Sequence, residues 1–107
     1  MEGAHFVATK KLVSLSEQQL VDCSSANYGC NGGSMDLAFQ YAETNPLETE
    51  AEYPYVAATD SCSYNAKNGV VKVTSYIDVP ANDNAQLKAA VAKQPVSIAI
   101  EADQTVF

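Results

Sequence analysis

Histidine occurs once in this 107-residue chain, basic residues occur only six times, and no run of about 18 apolar residues occurs anywhere. Each scarcity excludes something. Six bases against 13 acids leave a formal charge of −7 and no basic cluster. A nucleic-acid or anionic-membrane surface, which needs a cationic footprint, is therefore not expected. The acidity reads as a solvated face and suits an acidic or secretory compartment. The opening "MEGAHFVATKKLVSL" lacks the sustained apolar core of a signal peptide. No internal repeat, low-complexity tract or G-x-S-x-G motif is present. With His5 as the only imidazole, a nucleophile would have one candidate base. Beside Phe6 at a helix end, His5 reads as an ordinary half-buried histidine.

Cysteine is also sparse: Cys23, Cys30 and Cys62 are the whole complement. Structural zinc commonly takes four ligands in tight pairs, and neither the count nor the wide spacing fits. No metal or other cofactor is expected. The number is odd, so at least one thiol has no partner within the monomer. One bridge to consider, Cys23 to Cys62, would close about 40 residues and contribute roughly 4 kcal/mol on the chain-entropy model.

What is present is a globular composition, 47% hydrophobic with six tyrosines, at a length that allows at most one domain. The first residues read as the tail of a helix, with Lys10 and Lys11 opposing its exposed carbonyls. "SLSEQQLVDCS" predicts a second helix, Ser16 and Gln19 forming a capping box and Leu20, Val21 and Cys23 an apolar side. A loop rich in asparagine and glycine follows. Ser34 is placed to cap "MDLAFQYAET", where Met35, Ala38, Phe39 and Ala42 share one face before the break at "NP". Residues 46–69 are mostly turn material, and the acidic run Glu43, Glu48, Glu50 and Glu52 is expected to face solvent, unpaired. "VVKVTSYIDVP" reads as β-rich, Asp83 or Asn84 opens a helix over "AQLKAAVAKQ", and "PVSIAIE" alternates as a half-buried strand. No N-cap precedes the first helix and the last β elements lack partners, so both ends read as cut.

Taken together, "SLSEQQLVDCS…YGCNGG-MD-AF-Y", "TEAEYPYVA…C-Y" and "QPVSIAIEA" resemble the papain-like, cathepsin L-like cysteine endopeptidases over about residues 2–107. The resemblance implies an α+β fold: a helical domain over roughly 1–72 and the start of a β-rich domain over 73–107, with the active cleft between them. It implies that Cys23 pairs with Cys62. It also implies that Cys30 is unpaired, its partner belonging to a "CGSCW" motif that this sequence does not contain. The family's nucleophilic cysteine, catalytic histidine and orienting asparagine match no residue here, so no catalytic residue is assigned.

The resemblance leaves substrate-binding surface. Gly33 would lie along the backbone of an extended peptide, by strand addition. Tyr28 and Gly32 would border the next subsite outward. Ser34, Met35 and Ala99 would line a pocket for a large apolar side chain such as Leu or Phe. The implied function is a fragment of a cysteine endopeptidase, inactive alone, whose partners are a peptide or protein substrate and the remainder of the protease. The parent would be lysosomal, vacuolar or secreted. The alternative is a short, non-catalytic peptide-binding or decoy module derived from the same fold.

Overall fold

The structure, a computed structural model, describes residues 1–107. Four α-helices run in chain order: α1 (Glu2–Thr9), α2 (Glu17–Cys23), α3 (Met35–Thr44) and α4 (Asn84–Val91). Single 3₁₀ turns lie at Gly29–Asn31 and Ala66–Asn68. The β component is confined to two isolated antiparallel bridges, Leu15 with Thr49 and Leu47 with Val71.

The helix ends follow from local chemistry. α1 stops where Lys10 turns left-handed (φ 63°) and donates its N–H to the Phe6 carbonyl. At the start of α2, the Ser16 hydroxyl accepts from the Gln19 N–H. The other half of the expected capping box is not made. Ser16 N–H donates to the Glu48 carbonyl, which frees the Gln19 side chain to turn inward. Ser34 is the N-cap residue of α3 but its side chain makes no capping bond. Asn45 closes α3 just before Pro46. Asp83, rather than Asn84, caps α4 through the Gln86 N–H.

Burial is centred between Leu15 and Val71. Leu15, Ala42, Leu47 and Val71 form the apolar core, with Leu20 and Tyr41 packed against it. The face that α2 buries most deeply is polar, contrary to the apolar side read from Leu20, Val21 and Cys23. Gln18 and Gln19 are buried, with Ser16 and Ser24 at its two ends. A second revision concerns the acidic run, because Glu48 is only 2% exposed. Its N–H donates to Gln19 Oε1 (2.8 Å) and its carboxylate accepts from the Asn65 N–H (3.1 Å). Buried polar groups persist when partnered in this way.

The expected strands at 70–80 and 95–101 are not formed. Leu47 and Val71 exchange backbone bonds, and Val73 N–H reaches the Ala42 carbonyl. Residues 95–101 make no backbone hydrogen bond, and Ile98 and Ile100 are each 63% exposed. The physical reason is that a strand is stabilised by a neighbour, and alternation alone supplies none. The chain is correspondingly open: it exposes 7626 Å², against about 5,800 Å² for a compact protein of its mass. Pro95 nevertheless packs over Gly3, where a Cβ would overlap its ring, so α4 is followed by a segment anchored on α1.

Candidate functional site

The site grows out of the junction between α2 and α3. Beyond Cys23, the buried Ser24 accepts twice from Asn27: its carbonyl from the Asn27 N–H and its hydroxyl from Asn27 Nδ2 (both 2.9 Å). Tyr28 N–H then donates to the Gly32 carbonyl (3.0 Å), closing a tight loop around the 3₁₀ turn. Two glycines take positive φ to make that loop, Gly29 at 56° and Gly32 at 102°. At Gly32 a Cβ would meet nothing within 4 Å, so the requirement there is conformational. Gly33 is different. Its φ is ordinary, but an added Cβ would overlap the side-chain oxygen of Asn27.

The hydrogen-bond pattern along this strip singles out one residue. Gly32 N–H donates to the Gly29 carbonyl, Ser34 N–H donates to Asn27 Oδ1 (2.8 Å), and the Ser34 carbonyl accepts from Ala38. Gly33, exposed and between them, has both its N–H and its C=O free of any intrachain bond. Tyr28 stands 73% exposed beside the loop, and Met35 is 40% exposed at the start of α3.

Met35 also lines a cavity of about 280 Å³ with Ala38, Phe39, Leu47 and Ser97. Ala99 is exposed and is not part of that lining. The structure thus joins Tyr28, Gly32, Gly33, Ser34 and Met35 in one continuous segment and brings Ser97, rather than Ala99, to the Met35 side. Ala99 was expected there from the family resemblance; Ser97 lies two residues earlier, on the same face of an alternating segment.

Sequence reasoning also passed over two supports of the loop. Asn27 falls in the stretch read only as a loop rich in asparagine and glycine. Thr59 was not singled out, yet its hydroxyl accepts from the Cys30 N–H (3.0 Å) and sits against Gly29. Thr59 belongs to a loop that α2 gathers. Gln18 donates to the Ala58 carbonyl, Asp22 accepts from the Asp60 N–H and the Tyr53 hydroxyl, and that hydroxyl accepts from Ser63. Burial raises the Asp22 carboxyl, but the bonds from Asp60, Tyr53 and Gln18 outweigh it and hold the group below its ordinary range. The Cys23–Cys62 disulfide closes this loop, and Cys30 is a free, exposed thiol.

A second titrating pair lies at the start of α2. Glu50 accepts from the Tyr55 N–H, and that bond, helped by Glu17, lowers its carboxyl. Glu17 is drawn down by its own backbone amide, but the hydrogen bond shared with Glu50, desolvation and the charges of Glu50 and Glu2 raise it on balance. The Glu50 Oε2 beside it is buried with no hydrogen-bond partner. A raised carboxyl stabilises the fold most at low pH and loses that contribution as pH climbs through its folded value. As pH rises from the ordinary carboxylate range towards neutrality, the wild-type urea midpoint should therefore fall more than that of Glu17→Gln, which does not titrate. Equal slopes in the two proteins would show that the Glu17 carboxyl is not raised by folding.

With this geometry in view, residues 1–107 match throughout the family described as papain family cysteine protease. The chain belongs to the papain family. It is 53% identical over 110 residues to the probable cysteine protease RD21B of Arabidopsis thaliana, covering all of this chain and 24% of that protein. It is 49% identical over 105 residues to procathepsin L of Mus musculus, covering 95% of this chain and 31% of that one. Among solved structures, the ragweed pollen cysteine protease Amb a 11 in its proform superposes with a TM-score of 0.82 at 42% identity, over 87% of this chain and 29% of that one. Digestive procathepsin L 3 of Tenebrio molitor gives 0.79 at 40% identity, over 82% and 30%. The papain-like fold read from the sequence is therefore the fold of this chain. The 107 residues span about a quarter to a third of the length of these papain-family relatives.

Proposed function

We propose that this chain carries part of the substrate-binding face of a papain-like cysteine endopeptidase, and that Gly33 is the residue along which an extended peptide lies. The observation that carries the reading is the unpaired N–H and C=O of Gly33 in a strip whose neighbours are bonded. An extended peptide offers the complementary C=O and N–H of a single residue, which is the unit of strand addition. Tyr28 and Gly32 border the outward subsite. Ser34 and Met35, approached by the segment that holds Ala99, flank the side chain of the residue paired with Gly33, and the Met35 thioether favours Leu or Phe there.

The bond-breaking thiolate chemistry belongs to the whole protease; these 107 residues bind and scaffold. Residues 1–72 are read as the helical lobe and 73–107 as the opening of a β-rich one. All buried residues falling between Leu15 and Val71 support that division. A secreted, lysosomal or vacuolar setting for the parent is supported by the disulfide and the acidic surface.

Titrating acetyl-Leu-Gly-methylamide into the oxidised, isotope-labelled chain tests the reading. The Gly33 amide resonance should shift most, with neighbouring shifts at Gly32 and Tyr28 and an affinity on the order of millimolar. The same peptide with its leucine nitrogen methylated should bind about tenfold more weakly, having lost one main-chain bond. Shifts that avoid residues 28–35, or indifference to methylation, would overturn strand addition at Gly33. Turnover of a Leu- or Phe-containing dipeptidyl amide by the 107 residues, blocked by a thiol-directed inhibitor, would overturn the division between binding and catalysis.

A further inference from the structure

Gly33 needs a reason to be glycine, and the structure supplies an unexpected one. Its backbone conformation is open to any residue, so φ does not demand glycine there. For a residue that lies along a bound peptide, the peptide is the group that a Cβ is expected to obstruct. In the structure the Cβ direction points at Asn27 instead. The Asn27 oxygen also accepts the Ser34 N–H at 2.8 Å, and its amide nitrogen donates to the buried Ser24 hydroxyl at 2.9 Å. One half-buried side chain thus spans from the end of α2 to the start of α3, covering one side of Gly33 and bonding its following peptide unit.

We propose that Asn27 is a positioning residue for the substrate strip. It fixes the Gly33–Ser34 peptide so that the Gly33 N–H and C=O stay unpaired and presented, and it is the cause of the glycine requirement at position 33. Because Asn27 satisfies the Ser34 amide, that N–H does not compete for a peptide carbonyl, and Gly33 alone sets the register. The dual bond makes the role specific to a side chain with an acceptor and a donor on one carbon. Aspartate retains the acceptor for Ser34 and loses only the bond to Ser24. Alanine loses both. The substrate part of this inference rests on the peptide-binding reading of Gly33; the latch itself does not.

The experiment is a double-mutant cycle on the full 107-residue oxidised chain, with amide exchange in the free protein and binding of acetyl-Leu-Gly-methylamide as readouts. Asn27→Ala should speed Ser34 amide exchange about tenfold, and Asn27→Asp should restore it to near the wild-type rate. Gly33→Ala should weaken peptide binding about tenfold when Asn27 is present, because the strip must move. In the Asn27→Ala background the same substitution should change binding less than about twofold, since the obstruction is gone. Equal losses from Gly33→Ala in both backgrounds would overturn the proposal and return the glycine requirement to the peptide. Unchanged Ser34 exchange in Asn27→Ala would overturn the latch. If the wild-type chain binds no peptide, the functional reading fails. The latch is then decided by Ser34 exchange and by whether Asn27→Ala removes the loss of thermal stability caused by Gly33→Ala.

Discussion

Replacing both Cys23 and Cys62 with serine should lower the unfolding free energy by about 4 kcal/mol, the entropy of leaving a loop with a sequence separation of 39 unclosed in the denatured chain. That loss is large for this molecule. Only 10 of its 107 residues are buried, and a domain of ordinary packing has only about 5–15 kcal/mol in total. The cooperative transition should therefore be largely lost near body temperature. Structure should fail first in residues 56–64, whose other ties are mainly side-chain bonds with Gln18, Asp22 and Tyr53 and the Thr59–Cys30 contact. Loosening this loop also withdraws Thr59 from Gly29 and Cys30, so the turn at residues 28–32 should show faster amide exchange at Cys30. Urea titration of the oxidised wild type against the double serine variant measures the effect. Matching midpoints would mean that the α2 side chains hold the loop without the covalent closure.

Gln19→Leu should cost about 3 kcal/mol although it preserves volume and adds apolar area. Gln19 is 0% exposed. Its oxygen accepts the Glu48 N–H at 2.8 Å, and its nitrogen donates to the Tyr41 hydroxyl at 3.2 Å and the Pro46 carbonyl at 3.4 Å. Leucine leaves the buried Glu48 amide without an acceptor. The Tyr41 hydroxyl, whose acidity burial already suppresses, loses its donor at the same time. A simple hydrophobicity argument expects the opposite sign, so the denaturation midpoint discriminates cleanly. A midpoint at or above that of the wild type would show that the network adds no net stability.

These two expectations also mark how far the sequence could be read. The cysteines were legible because a family pattern names the partner, and the disulfide formed as that resemblance implied. Helix existence was legible wherever a polar cap met an apolar period, as at Ser16 and Asp83. The inward turn of Gln18 and Gln19 was not, because hydrophobic periodicity gives buried amides no weight. Their partners at Glu48, Val56 and Ala58 lie 29 to 40 residues away. Glu48 was misread for the same reason: the partners that bury it, the Gln19 side-chain oxygen that accepts its N–H and the Asn65 N–H that donates to its carboxylate, lie 29 and 17 residues away. The strands failed differently. Alternation over Val96, Ile98 and Ile100 states which faces a strand would have, but its hydrogen bonds must come from another segment. The backbone of residues 95–101 makes none.

By itself the sequence determined the family, the disulfide partners and the helical segments, and it marked the stretch from Tyr28 to Met35 along which we propose that a peptide lies. Those are local or pattern properties, written in residue types at fixed spacings. The tertiary structure alone decided which group a Cβ at Gly33 would meet, which of its neighbours are already hydrogen-bonded, and that Ser97 rather than Ala99 lines the Met35 cavity. Each depends on the direction of one bond relative to a group elsewhere in the chain. Direction is set by packing and hydrogen-bond closure, which no spacing in a linear sequence encodes.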